Sequence, residues 1–196
     1  MIDTTYLINT LALLATASLL IVVSLVCFNF KPFKLQSKNS NIFKVAAGLL
    51  FGLLAIFATL TGVKLPDGIT INVRELAVII AGVAGGPVSG LLAGLIGGLH
   101  RFTLGGVSAL PCTIATILVG IISGLVSAKI SGKNMLVKAG LLGLGLETFA
   151  MALLPVFLLW DLAVQVLSEA AVPMIAATTI GLMLWFFLFK IQNRSN

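Results

Sequence analysis

The polar residues of this chain stand so far apart that the apolar positions between them form long continuous runs rather than an alternating pattern. No Lys, Arg, Asp or Glu falls within 4–30, 45–63, 76–100, 102–128 or 170–189, and a sixth stretch, 139–160, is interrupted only by Glu147. A helix rises 1.5 Å per residue, so about 20 residues span the roughly 30 Å hydrocarbon core of a bilayer. The pattern predicts an all-α membrane protein, a polytopic helical bundle of six hydrophobic segments. Continuous runs exclude a transmembrane barrel, whose strands alternate between lipid-facing and lumen-facing side chains.

Composition agrees. Hydrophobic residues make up 59% of the 196 and charged residues only 9%, against about 25% charge in soluble domains. The polar interludes 31–44 and 63–74 are too short to hold a soluble catalytic domain, so residues 1–196 read as a single transmembrane domain. Twelve Lys and Arg over six Asp and Glu give a formal charge of +6. The lysines sit at segment ends and form no aromatic-laced basic face, which points to membrane orientation and away from nucleic acid. Cys27 and Cys112, the two cysteines, both lie in or beside apolar segments and build no disulfide framework. The first apolar run is longer than a signal-peptide core and is preceded by Asp3, so it is expected to be retained as a helix.

Positive charge gathers in three groups: Lys31, Lys34, Lys38 and Lys44; Lys129, Lys133 and Lys138; Lys190 and Arg194. The positive-inside rule puts all three in the cytoplasm. A first helix, about 4–29, then enters from outside and a second, about 45–62, returns to an external turn at Lys64, Pro66, Asp67 and Gly68. Helices at about 139–160 and 168–189 form a closing pair around Asp161. Region 74–128 must then make one net inward crossing although it holds two apolar runs. A re-entrant hairpin over 75–99, broken at Gly85-Gly86-Pro87, reconciles the two, with 107–128 as the crossing helix. Non-helical backbone at that depth must be buried in protein or line a wet cavity. The expected architecture is therefore five full crossings plus the broken hairpin, with an external N-terminus; the alternative is six full crossings with an internal one. Gly82, Gly86, Gly90, Gly94 and Gly98 recur every four residues, joined by Gly85 and Gly97. Such a row admits close helix approach, for which Gly48 with Gly52 and Gly120 with Gly124 offer partner surfaces.

Few polar residues are available for chemistry. Arg74, between Asn72 and Glu75, begins the hairpin, and Arg101, beside His100, ends it. If the hairpin is re-entrant, both arginines return to the outer face, where a guanidinium grips a carboxylate or phosphate through paired hydrogen bonds. Snorkelling to the interface, or an Arg74–Glu75 pair, is the structural alternative. Downstream, Gly105, Gly106 and Ser108 lead into a helix start where amides attract anions, and Ser108, Thr113 and Thr116 add hydroxyls. Cys112 either faces the same cavity or fills space as a small apolar residue. Glu147, in an otherwise apolar helix, is expected to face the interior and find a partner, either Arg74 or Arg101, or to carry a proton. His100 lacks a second ligand at metal spacing, so no metal or cofactor is expected. No Ser-His-Asp arrangement, nucleotide loop or catalytic carboxylate pair is present, and the chain reads as a non-enzyme.

The run Asn72-Val73-Arg74, Gly85-Gly86-Pro87, Gly90, Gly94, Gly97-Gly98-Leu99-His100-Arg101-Phe102, Gly105-Gly106, Ser108-Ala109 and Cys112 closely resembles the membrane sensor region of LytS-type histidine kinases. This five-transmembrane receptor family includes the BtsS pyruvate sensors. The likeness extends to Glu147, Ala170, Ala171, Pro173 and Met174. It implies an input domain that binds a small extracellular carboxylate, pyruvate first among them, and signals to a cytoplasmic kinase module and its response regulator. In the pyruvate-sensing branch, positions matching Arg74, Arg101 and Cys112 are similar to ligand contacts. Phe102 stands where tyrosine is common, Pro111 precedes the cysteine, and Ala115 offers no hydroxyl where that branch has one, a role open to Thr113 or Thr116. The partners implied are the carboxylate, membrane lipid, the kinase module and a second copy of the chain in a homodimer. The chain carries no phospho-accepting helix or ATP motif, so it is read as a sensor fragment or a stand-alone receptor. Its glycine-rich helices also resemble substrate-binding subunits of energy-coupling-factor transporters, a reading that would make it a small-molecule capture subunit.

Overall fold

The computed structural model describes residues 4–28, 40–65, 69–130 and 132–195. Seven helices occupy most of them: α1 (Thr4–Phe28), α2 (Asn41–Leu60), α3 (Arg74–Thr103), α4 (Ala109–Val126), α5 (Met135–Ala152), the single turn α6 (Leu154–Phe157) and α7 (Trp160–Ser195). A short antiparallel ribbon, β1 (Val63–Lys64) with β2 (Thr70–Ile71), links α2 to α3. Among the described residues six helices are long and apolar enough to cross a membrane. Helix is what such sequences must form in lipid, because it satisfies each backbone N–H and C=O within the segment.

α3 does not cross as one rod. Gly86 adopts φ 79° and ψ −171°, a backbone region open to glycine but costly for other residues. Pro87 follows and has no N–H to donate to the preceding turn. The chain folds back there: a side chain on Gly90 would run into the backbone of Gly82, and one on Gly97 would stand 3.5 Å from Cδ of Arg74. Residues 74–85 and 87–103 are thus the two limbs of a helical hairpin, and six full crossings are ruled out in favour of five plus the hairpin. At 1.5 Å per residue the first limb measures only about 18 Å, yet every residue from Arg74 to Gly85 is buried. It is the central post of the bundle, insulated from lipid by its neighbours.

Glycine sets how close those neighbours come. Gly90 and Gly120 pack backbone to backbone, and Gly124 lies against Pro87 at the hairpin tip. Gly48 and Gly52 on α2 receive Leu92 and Ile96, whose Cβ atoms would stand 2.8 Å from added ones. The expected partner surfaces are therefore used, each against a different side of the returning limb. Between apolar helices in lipid there is little hydrophobic drive, so packing and occasional interhelical hydrogen bonds hold the bundle. Ser89 Oγ donates to the Lys44 carbonyl at 2.7 Å, and Trp185 Nε1 donates to Ser24 Oγ at 2.8 Å. Trp185 also stacks on Phe189 with ring centroids 5.0 Å apart and meets Phe28 edge-on at 6.0 Å.

These contacts put Lys44, Lys129, Lys138 and Lys190 at the end of the bundle where the hairpin turns, and Lys64 at the opposite end with Arg74 and Arg101. Lys31, Lys34, Lys38, Pro66, Asp67, Gly68 and the side chain of Arg194 lie outside the described residues. One boundary differs from expectation. The last helix begins at Trp160 rather than near 168, so Asp161 belongs to its first turn, where a negative charge meets the positive end of the helix dipole.

Candidate functional site

The first limb of α3 begins with a local cap: Asn72 Oδ1 accepts from the Arg74 backbone N–H at 3.1 Å. This fixes Arg74 at the top of the central post with no exposed surface. Its guanidinium donates Nη2–H to Glu75 Oε1 at 2.6 Å and Nε–H to Thr116 Oγ1 at 2.9 Å. Thr116 stands 2.9 Å from Glu75 Oε1 and 2.7 Å from the Cys112 carbonyl, and its single proton serves one of these acceptors at a time. Arg74, Glu75 and Thr116 thus form a closed triangle that ties the hairpin to α4. Arg74 Nη1 and Glu75 Oε2 are buried without a hydrogen-bond partner.

Arg101 closes the returning limb. It is buried, donates Nη1–H to the Gly105 carbonyl, and holds Ser108 Oγ through Nη2 at 3.1 Å. Its Nε is buried with no acceptor. Gly105 and Gly106 take φ values of 68° and 89°, so this turn between α3 and α4 needs glycine. A cleft of about 280 Å³ opens beside the turn, lined by Arg101, Gly105, Gly106, Thr59, Thr70 and Lys64 among others. Cys112, half-buried on α4, lies within electrostatic reach of Arg74, Glu75 and Arg101, with Ser108 beside its thiol.

The structure therefore brings Asn72, Arg74, Arg101, Gly105, Gly106, Ser108, Cys112 and Thr116 to one end of the bundle. Thr113 faces elsewhere: its hydroxyl meets the Gly98 carbonyl at 3.0 Å and the Ala109 carbonyl at 2.8 Å, bonding α4 to the returning limb. His100 is half-buried, with Nδ1 unpartnered. Glu147 is fully buried but is not the carboxylate on Arg74; Glu75 is. Adjacency favours this, since neighbouring residues at a helix start need no tertiary motion to meet. Thr59, near the end of α2, and Lys64 and Thr70, on the β1–β2 ribbon, line the cleft without having been expected as site residues, since a ribbon of two residues per strand is silent in periodicity. Among the described residues no group of His, Cys, Asp and Glu is placed to hold a metal.

Anion recognition is what this arrangement can do: two buried guanidiniums, each with a donor nitrogen lacking an acceptor, stand around a thiol and two hydroxyls. The family described as 5TMR of 5TMR-LYT matches residues 27–192. The chain is 36% identical to the sensor histidine kinase YpdA of Escherichia coli K12 over 84% of its own length and 29% of the relative's. It is 33% identical to the sensor histidine kinase BtsS of the same strain over 70% and 26%, and 28% identical to the sensor protein LytS of Bacillus subtilis over 92% and 34%. It thus spans about a third of the length of these curated relatives. No solved structure matches it. With five crossing helices, a broken hairpin and a family match over most of its length, the chain is a multi-pass membrane protein that belongs to the LytS-type five-transmembrane receptor family.

Proposed function

We propose that this chain is the membrane input domain of a LytS-type two-component histidine kinase, and that it binds a small extracellular carboxylate, with pyruvate the leading ligand. The observation that carries the reading is Arg101, buried at the cleft with an unpartnered Nε and set at the end of the bundle opposite Lys44, Lys129, Lys138 and Lys190. With the lysine-rich end in the cytoplasm, the cleft faces outward. A carboxylate there would accept from Arg101, which already holds Ser108, while Arg74 and Cys112 lie behind the cleft lining and would join the shell only if the site rearranges. Both guanidiniums have an unpartnered nitrogen, but Arg74 is fully buried and paired with Glu75, whereas Arg101 lines the cleft. Binding that draws Arg74 and Arg101 together would shift the packing of the central post against α7, which ends on the lysine-rich side of the bundle. The signal is then a population shift between two packings.

Calorimetric titration of the purified protein tests this. Wild type is expected to bind pyruvate and to ignore an uncharged analogue. Arg101→Lys is expected to bind more weakly although charge is kept, because an ammonium lacks the planar fork. Equal pyruvate affinity in folded wild type, Arg74→Ala and Arg101→Lys would remove the arginine site, and no binding by folded wild type would remove pyruvate.

A further inference from the structure

Glu147 sits on α5 with no exposed surface, and neither carboxylate oxygen has a hydrogen-bond partner. The Thr178 hydroxyl of α7 lies beside it, is equally buried, and is also unpartnered. Most buried hydroxyls on these helices have a partner, Ser89 on a neighbouring helix and Ser108 on Arg101, whereas Thr178 and the adjacent Thr179 have none. The hydroxyls of Ser24, Thr59, Thr113, Thr116 and Ser123 all turn back to a carbonyl one turn earlier on their own helix, which is where a helical hydroxyl goes when nothing else claims it. Three oxygen atoms from two helices thus face one another in the membrane interior, with the neutral Thr178 O–H as the donor beside the carboxylate.

The charged groups facing Glu147 are Glu75 and Arg74 of α3. Helices α4 and α6, which also pack on α5, carry no charged residue, and α7 presents only the hydroxyl. Arg74 is engaged with Glu75 at 2.6 Å, so its charge is largely spent on a nearer carboxylate. A bare carboxylate in that position is too costly to persist without compensating positive charge. The charges that Glu147 faces point the same way. Arg74 against Glu75 and Glu147 leaves one negative charge, and an anionic ligand on Arg74 would add a second.

We infer that Glu147 and Thr178 form a site for one small positive charge, a proton or an alkali-metal ion, that is occupied together with the carboxylate at the arginines. The last part rests on the carboxylate reading; the site itself does not. Occupied by a proton, Glu147 becomes a neutral acid whose O–H can be given to Thr178. Occupied by sodium, the same three oxygens supply hard ligands suited to it. Either occupant bridges α5 and α7.

The test begins without ligand. Infrared difference spectra between wild type and Glu147→Gln, recorded in sodium chloride and in choline chloride, are expected to show a protonated carboxyl band in both salts or a carboxylate band that shifts with sodium. The first result assigns the proton and the second the metal ion. An ionised carboxylate band indifferent to sodium would overturn the site. Pyruvate titrations across a pH series then test the coupling. For the proton, wild-type affinity should fall by up to about tenfold per pH unit once Glu147 ionises, and Glu147→Gln should lose that slope while Thr178→Val weakens it. For sodium, affinity should drop in choline chloride for wild type alone. A pH and sodium response identical in wild type and Glu147→Gln would overturn the coupling. Failure of folded wild type to bind pyruvate would count against the carboxylate reading, with the infrared arm still deciding the Glu147 site.

Discussion

Gly90 on the returning limb of the hairpin and Gly120 on α4 pack backbone against backbone, so that a Cβ on either would fall on the other's carbonyl. This single approach sets the separation of the two most heavily packed elements in the protein. Gly145, on α5, has nothing within 4 Å of the corresponding position and no unusual backbone angle. Gly90→Leu is therefore expected to prevent recovery of folded protein, whereas Gly145→Ala should stabilise by roughly 0.4–1 kcal/mol through helix propensity and a stiffer unfolded chain. Thermal melting in detergent separates the two, and a Gly90→Leu protein that melts like wild type would contradict the contact.

The triangle of Arg74, Glu75 and Thr116 predicts an asymmetric mutational response. Glu75→Gln removes the partner of a fully buried guanidinium and is expected to cost about 3–5 kcal/mol. Thr116→Val should cost about 1–3 kcal/mol, because it strands the Arg74 Nε–H. Replacing Arg74 and Glu75 together by Met and Leu should restore most of the stability lost in Glu75→Gln, and on the proposed function it would not restore carboxylate binding. Paired melting and titration measurements on the same preparations read both effects.

Sidedness follows from the ends to which the charges fall. In a chain with Cys27 and Cys112 replaced by serine, a cysteine at Lys64 is expected to react with an impermeant thiol reagent added to intact cells. A cysteine at Gly132, in the exposed turn after Lys129, should react only after the cells are opened. The opposite pattern would invert the bundle and put the arginine cleft in the cytoplasm.

Trp185 is 2% exposed and Trp160 71% exposed, and no other tryptophan is present. Emission from a Trp160→Phe variant should thus be shielded from soluble quenchers, and that from Trp185→Phe should not. Ser24→Ala leaves the Trp185 indole N–H without its acceptor and is expected to cost about 1–3 kcal/mol. In the Trp185→Phe background the same change should be close to neutral, a coupling that a double-mutant cycle measures.

Much of this architecture was legible because lipid imposes simple rules. Five charge-free runs and a sixth interrupted only by Glu147 locate the six segments, and the conflict between the lysine groups and a six-crossing count points to the hairpin. Gly86 and Pro87 then marked its turn through the two residues whose backbones differ from all others. The candidate site was readable as a list of residues because arginines are rare in such a sequence. It was not readable as a set of contacts. Whether Arg74 meets Glu75 or Glu147 depends on helix rotation, and α5 has no strong polar face to reveal its own. The lining of the cleft by Lys64 escaped because a ribbon of two residues per strand leaves no periodic trace, and the early start of α7 escaped because Trp160 and Asp161 resemble a loop in composition.

The central post also constrains the order in which the protein can be made. Residues 74–85 are too short to cross a bilayer alone, and the opened backbone at Gly86 and Pro87 is covered by Gly124 near the end of α4. While the ribosome is still translating residues near 100, the surface that receives the hairpin tip has not yet been synthesised. The hairpin must therefore wait, as a longer single span or at the membrane surface, until α4 has emerged. Its settling between α2 and α4 is then a post-insertion step, in which a segment already threaded into the bilayer rearranges within it.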